Sequence, residues 1–100
     1  MAKSVIAYVT LTVSTTAVGL SSASTPITHA ATGAIITLET AQIRWRADGT
    51  APTSTTGHIM DISDILDFSE GNWRDILNRI QFIRTGSTDG ALKITLLRTF

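Results

Sequence analysis

The chain has 100 residues, room for one small domain and too few for a two-domain enzyme. It contains no cysteine, which excludes disulfides, zinc–thiolate centres and thiol nucleophiles. Eight basic and eight acidic side chains cancel, and a charged share of 16% falls below the roughly 25% of an average soluble domain, so bulk attraction to nucleic acid or an anionic membrane is not expected.

After Lys3 the next formal charge is Glu39. An uncharged stretch behind one basic residue has the outline of a secretory signal, with a small-residue site near Thr28, His29 and Ala30. Thr10, Thr12, Ser14, Thr15 and Thr16 interrupt the apolar run and argue against that outline. No window reaches the ~18 apolar residues of a membrane span. Neutral, sparsely charged chains tend to associate, so a surface that is covered in use is expected.

In chain order, Val5, Ala7, Val9, Leu11 and Val13 alternate with Ile6, Tyr8, Thr10, Thr12 and Ser14, the period of a strand with one strongly apolar face. Thr, Val and Ile are stiff at χ1 and suit a pleated surface, which favours sheet through the first half. Residues 21–32 combine small hydroxyl side chains with Pro26 and predict a loop or ragged edge. A second strand is predicted over 34–40. A third follows over 42–47, with Ile43 and Trp45 on one face and Arg44 and Arg46 on the other. Asp48 and Gly49 supply turn chemistry, and Pro52 keeps 50–57 out of any central strand.

Residues 58–70 place Asp61, Asp64 and Asp67 at intervals of three among Ile59, Ile62, Ile65 and Leu66. That spacing fits a helix or a broken strand, and the β-rich surroundings favour two short strands or one bent strand. A short helix is predicted over 72–78: Asn72 is a fair cap, Asp75 falls in the first turn, and Trp73, Ile76, Leu77 and Ile80 keep helical spacing. Asp89 and Gly90 between two apolar runs predict a hairpin that pairs 80–85 with 91–98.

The chemical candidates are few. Only His29 and His58 offer an imidazole, and neither lies in a nucleophile elbow, so no catalytic residues are expected and the chain reads as non-enzymatic. His58 with Asp61, Asp64, Asp67 and Glu70 is the one dense set of ligand types; without EF-hand spacing it reads as a solvated face, with Asp61 and Asp64 as the alternative Ca²⁺ candidates. No cofactor motif is present. Arg44 and Arg46 beside Trp45 invite a nucleic-acid reading, but acids offset them and a protein interface fits better. Arg44, Arg46, Thr10, Thr12, Pro26 and His29 are therefore the interface candidates. Trp45 and Trp73 follow the spacing of core residues; stacking on a sugar ring is the other use of such aromatics.

The segment Ile43 to Thr53 resembles the I-x-Y-x-x-D-G-S/T-x-P-T strand and turn of Fn3/Ig-like modules appended to glycosidases, with Trp45 at the aromatic position, then Asp48, Gly49 and Pro52. Over nearly its whole length the chain resembles small virion-associated proteins of tailed bacteriophages. The likeness rests on the uncharged start through Ala17, Val18, Gly19 and Leu20 and on the R-W-R-x-D-G-T-x-P-T block. Gly57 and His58 follow, and F-I-R-T-G-S-T-D-G-x-L runs from Phe82 to Leu92. It implies a virion structural protein, either a capsid decoration or cement protein packed on the major capsid protein or a neck or tail component. A carbohydrate-binding Ig-like module is the remaining alternative. The expected architecture is all-β: one Ig-like or Greek-key sandwich over residues 1–100, with 1–32 as an N-terminal edge strand or arm. Expected partners are other virion proteins and further copies of the chain, with neither nucleic acid nor membrane.

Overall fold

The N-terminal alternation folds into the longest strand of a computed structural model that describes residues 3–20 and 31–99. In chain order the elements are β1 (Lys3–Val13), β2 (Val18–Gly19), β3 (Gly33–Glu39), β4 (Ile43–Arg46), β5 (His58–Met60), β6 (Ile65–Phe68), α1 (Arg74–Arg79), β7 (Gln81–Arg84) and β8 (Gly90–Thr99). They form two antiparallel four-stranded sheets, sheet A in the order β1-β8-β3-β6 and sheet B in the order β2-β7-β4-β5.

The all-β, two-sheet expectation holds. In the order itself, the first strand pairs with the eighth, the second with the seventh, the third with the sixth and the fourth with the fifth. That is the connectivity of one long hairpin rolled up, a strand order that jelly rolls use. An Ig-like module keeps its first two strands side by side in one sheet; here β1 and β2 lie in different sheets, so the order gives the finer Ig-like reading no support.

Alternation sets the core. Val9, Leu11 and Val13 of β1, Ala34, Ile36 and Leu38 of β3, and Leu92, Ile94 and Leu96 of β8 turn inward and are buried. They meet Ile43, Met60 and Phe82 of sheet B, with Leu77 and Ile80 from the helix and its exit. A bulge between Val5 and Ala7 shifts the β1 register, placing Val5 on the outer face opposite Leu97.

One local expectation changes. The expected 80–85 to 91–98 hairpin is absent: β7 lies between β2 and β4 in sheet B, and β8 lies between β1 and β3 in sheet A. Asp-Gly makes a tight turn only when its flanking strands pair, and here the residues between them cross from one sheet to the other. Gly90 serves space instead, since a Cβ there would fall 2.6 Å from Ile43 Cγ2 and 3.2 Å from the Ala41 carbonyl oxygen. Residues 58–70 form two short strands, as expected: β5 and β6, which join different sheets.

The helix forms close to where it was expected, one turn and a half long. Asn72 Oδ1 accepts the Arg74 amide at 3.1 Å, the Trp73 amide donates to the Thr32 carbonyl at 2.8 Å, and the Trp73 ring packs on Phe68 with centroids 5.2 Å apart.

Candidate interaction surface

The outer faces of the two sheets present different chemistry. On sheet B the odd positions of β4 point in and the even ones point out, so Arg44 and Arg46 lie outside as the alternation predicts. Arg44 is half-buried because the loop 50–57 lies back over it: Nε donates to the Ser54 carbonyl at 3.1 Å and Nη1 to the Gly57 carbonyl at 2.8 Å. Pro52 is buried in the same loop, and Gly57, at φ 131°, passes so close to β4 that a Cβ would lie 3.0 Å from the Trp45 carbonyl oxygen.

Arg46 forks onto Asp48, with Nε to Oδ1 at 3.1 Å and Nη2 to Oδ2 at 2.5 Å, and Asp48 Oδ1 also accepts the Thr50 amide at 3.2 Å. The guanidinium first and the Thr50 amide second hold the Asp48 carboxyl below the usual carboxylate range, and the same bond raises Arg46. Gly49 supplies the positive φ, 89°, that this turn requires. Trp45 is half-buried against the core, its ring 4.8 Å from that of His58. His58 in turn lines a cleft of about 470 Å³ with Arg46, Ala47, Asp48, Thr56 and Gly57.

The outer face of sheet A carries no loop held in this way among the described residues. Its strand registers align Thr12, Ala91 and Glu39 in one row, then Thr10, Lys93, Thr37 and Ile65. Tyr8, Thr95, Ile35 and Asp67 form the next row, and Val5, Leu97 and Gly33 the last. Val5 is 64% exposed, Tyr8 62%, Ile65 62% and Ile35 37%, so four of the six exposed large apolar side chains among the described residues share this face. Its charges in those rows are Lys93, Glu39 and Asp67. Asp67 is held below the ordinary carboxylate range by the hydroxyl and then the amide of Ser69, the latter donating at 2.9 Å.

The interface candidates thus separate. Thr12 is exposed and Thr10 half-buried on the outer face of sheet A, while Arg44 and Arg46 spend their guanidinium groups within the chain. Pro26 and His29 lie outside the described residues. Asp61 and Asp64 shape a turn: Asp64 Oδ2 accepts the Asp61 amide at 2.8 Å, and Asp61 Oδ1 accepts Gln42 Nε2 at 2.7 Å. Among the described residues, no three His, Asp or Glu side chains gather into a metal site, and no helix is long and apolar enough to cross a membrane. Asp89 accepts Arg84 Nη1 at 2.6 Å and pins the crossing that leads into Gly90.

Reading the sequence segment by segment misses Ile35 and Ile65 as surface residues. Each sits at an outward position of its own strand, but only the pairing of β3 with β8 and with β6 sets Ile35 beside Thr95 and Ile65 beside Thr37. No known protein family, no characterised protein and no solved structure matches the chain.

Proposed function

We propose that the chain is a non-enzymatic structural protein of a bacteriophage virion, a decoration or cement component that packs on the major capsid protein. The observation that carries this reading is the outer face of sheet A, where Val5, Tyr8, Ile35 and Ile65 stand exposed among threonines with few charges. Apolar area contributes ~25 cal/mol per Å² when covered. Hydroxyls complete hydrogen bonds without the desolvation cost of charges. A capsid lattice then multiplies modest contacts into firm attachment. The resemblance, over nearly the whole chain, to small virion-associated proteins of tailed bacteriophages supports the same reading, and a neck or tail position would use the same face. Jelly rolls serve viral capsids and lectins alike, so the fold by itself selects neither.

The Fn3/Ig-like likeness of Ile43 to Thr53 remains local in this reading. A glycan-binding role is favoured by one observation, the half-buried Trp45 with His58 beside the Arg46 and Asp48 cleft. The deciding experiment mixes the purified chain with particles stripped of it and follows co-sedimentation. Saturable rebinding in fixed copy supports attachment to the particle. A chain that ignores the particles and binds a sugar array, with the signal lost in Trp45→Ala, replaces the virion reading by the glycan one.

A further inference from the structure

A second cleft, of about 490 Å³, lies between Thr15 after β1, residues 52–54 of the loop that covers sheet B, and residues 83–86 at the end of β7. Its size is that of a small-ligand site. Pro52 and Ile83 give it apolar walls, and the remaining lining offers hydroxyls and one guanidinium, that of Arg84.

The three arginines of β4 and β7 are used to different extents. Arg44 donates Nε and Nη1 to the Ser54 and Gly57 carbonyls, and Arg46 donates Nε and Nη2 to the two oxygens of Asp48. Arg84 donates Nη1 to Asp89 Oδ1 at 2.6 Å, while its Nε is buried with no acceptor among the described residues. In the planar guanidinium, Nε and Nη2 direct their N–H groups along one shared edge. On Arg46 that edge holds a carboxylate; on Arg84 no described residue takes it. Proteins rarely leave a buried donor of a charged group unpaired, so one that persists calls for a partner.

We infer that this cleft binds a glutamate side chain of a partner protein, its carboxylate seated on the Nε and Nη2 edge of Arg84. The Arg84 side chain is 23% exposed, so the carboxylate meets Nη2 first and reaches Nε after a small turn of the guanidinium that half-exposed Asp89 can follow. Thr15 and Ser54 line the cleft with hydroxyls that bond to nothing else among the described residues and can donate to the same oxygens. The methylenes of a glutamate match Pro52 and Ile83. Arg84 and Asp89 already cancel in charge, which favours one added negative charge over the greater charge of a phosphate. A free carboxylate must lose all its freedom for this one contact, whereas a side chain shares that loss with the rest of an interface. The site uses none of the residues on the outer face of sheet A, so it stands whether or not that face meets a capsid.

The test is an NMR titration of the ¹⁵N-labelled full chain, at constant ionic strength, with acetate, with phosphate and with a glutamate peptide blocked at both ends. Saturable shifts are expected at Thr15, Ser54, Thr85, Gly86 and the Arg84 Nε–H. The peptide should bind more tightly than acetate, and phosphate no more tightly than acetate. Arg84→Lys keeps the charge and loses the fork, and should weaken the peptide about tenfold. Arg46→Lys should leave it unchanged, because Asp48 already fills that guanidinium. Asp89→Asn removes the competing carboxylate and should tighten binding, a gain that a purely structural Arg84 would not show. Circular dichroism melts of each variant separate lost binding from lost fold, and Ser54→Ala on the exposed loop supplies a weakened variant if Arg84→Lys does not fold.

The absence of saturable shifts, or shifts that persist undiminished in a folded Arg84→Lys, would overturn the inference. So would phosphate binding above the peptide, acetate matching the peptide, or a bound water on Nε that no carboxylate displaces.

Discussion

Sheets A and B are built from the same alternation of apolar and polar residues, and their outer faces reach opposite states. On sheet B the outward Arg44 is claimed by the chain's own loop, whose Ser54 and Gly57 carbonyls it binds at 3.1 and 2.8 Å. On sheet A the outward positions are Tyr8, Thr12, Ile35 and Ile65, whose chemistry finds no such cover among the described residues. A cationic side chain on a sheet face can be satisfied locally by backbone carbonyls. An aliphatic one can be satisfied only by more apolar surface, and none of the described residues supplies it here.

Both faces rest on one core, so the largest expected effect removes both together. Phe82, fully buried where β7 faces sheet A, should cost about 3–5 kcal/mol when changed to Ala, through lost transfer energy and a residual cavity. Chemical denaturation should show a lower midpoint with one cooperative transition. Survival of either sheet as a separate transition would mean that the two faces do not share a core. Next in size is Arg44→Ala, which should cost about 1–2 kcal/mol by leaving two carbonyls with only water. Amide exchange should quicken across 50–57 and leave β8 and β3 protected; equal loosening in both sheets would show that the loop is no local cover.

How much of this contrast is legible in the sequence depends on what local alternation can encode. It places β1, β3 and β4 within a residue or two and turns Ile43 inward and Arg44 outward, because a strand's side chains alternate whatever its neighbours. It does not encode which sheet a strand joins. Asp89 and Gly90 therefore read as a hairpin turn, whereas Gly90 is small because Ile43 stands against it from the other sheet. The same limit hides the outer face of sheet A: Ile35 and Ile65 are thirty residues apart in sequence and become neighbours through β3–β6 pairing. Arg44 and Arg46 read as free for a partner because the carbonyls and the carboxylate that hold them are gathered by a loop whose path the sequence does not give.

A smaller effect on stability carries the larger one on assembly. Ile35→Thr combined with Ile65→Thr keeps β-branched side chains at two exposed positions, so the melting free energy should shift by no more than about 0.5 kcal/mol. Rebinding to stripped particles should fall sharply, since the change removes apolar area only from the outer face of sheet A. The matching change on sheet B, Ile59→Thr, should alter neither quantity. If Ile59→Thr weakens rebinding and the sheet A pair does not, the assignment of the faces is reversed.

The smallest expected effect is acid sensitivity, and it differs in kind between the faces. Asp48 beside sheet B and Asp67 on sheet A are both held below the ordinary carboxylate range in the folded chain. As pH falls, the unfolded chain takes up these protons first. The stabilisation is therefore complete above about pH 5 and fades from near 3.8 down through the lower folded values. Asp48 owes its shift first to the Arg46 guanidinium, whereas Asp67 is held by the Ser69 hydroxyl and amide. Added salt should weaken the charged contribution and spare the hydrogen-bonded one. Thermal melts of Asp48→Asn and Asp67→Asn from neutral pH to about pH 2.5, at low and high salt, should each lose part of the acid slope, with only the Asp48 part depending on salt. An equal salt response for both would place charge, and not local hydrogen bonding, behind the carboxylate on the bare face.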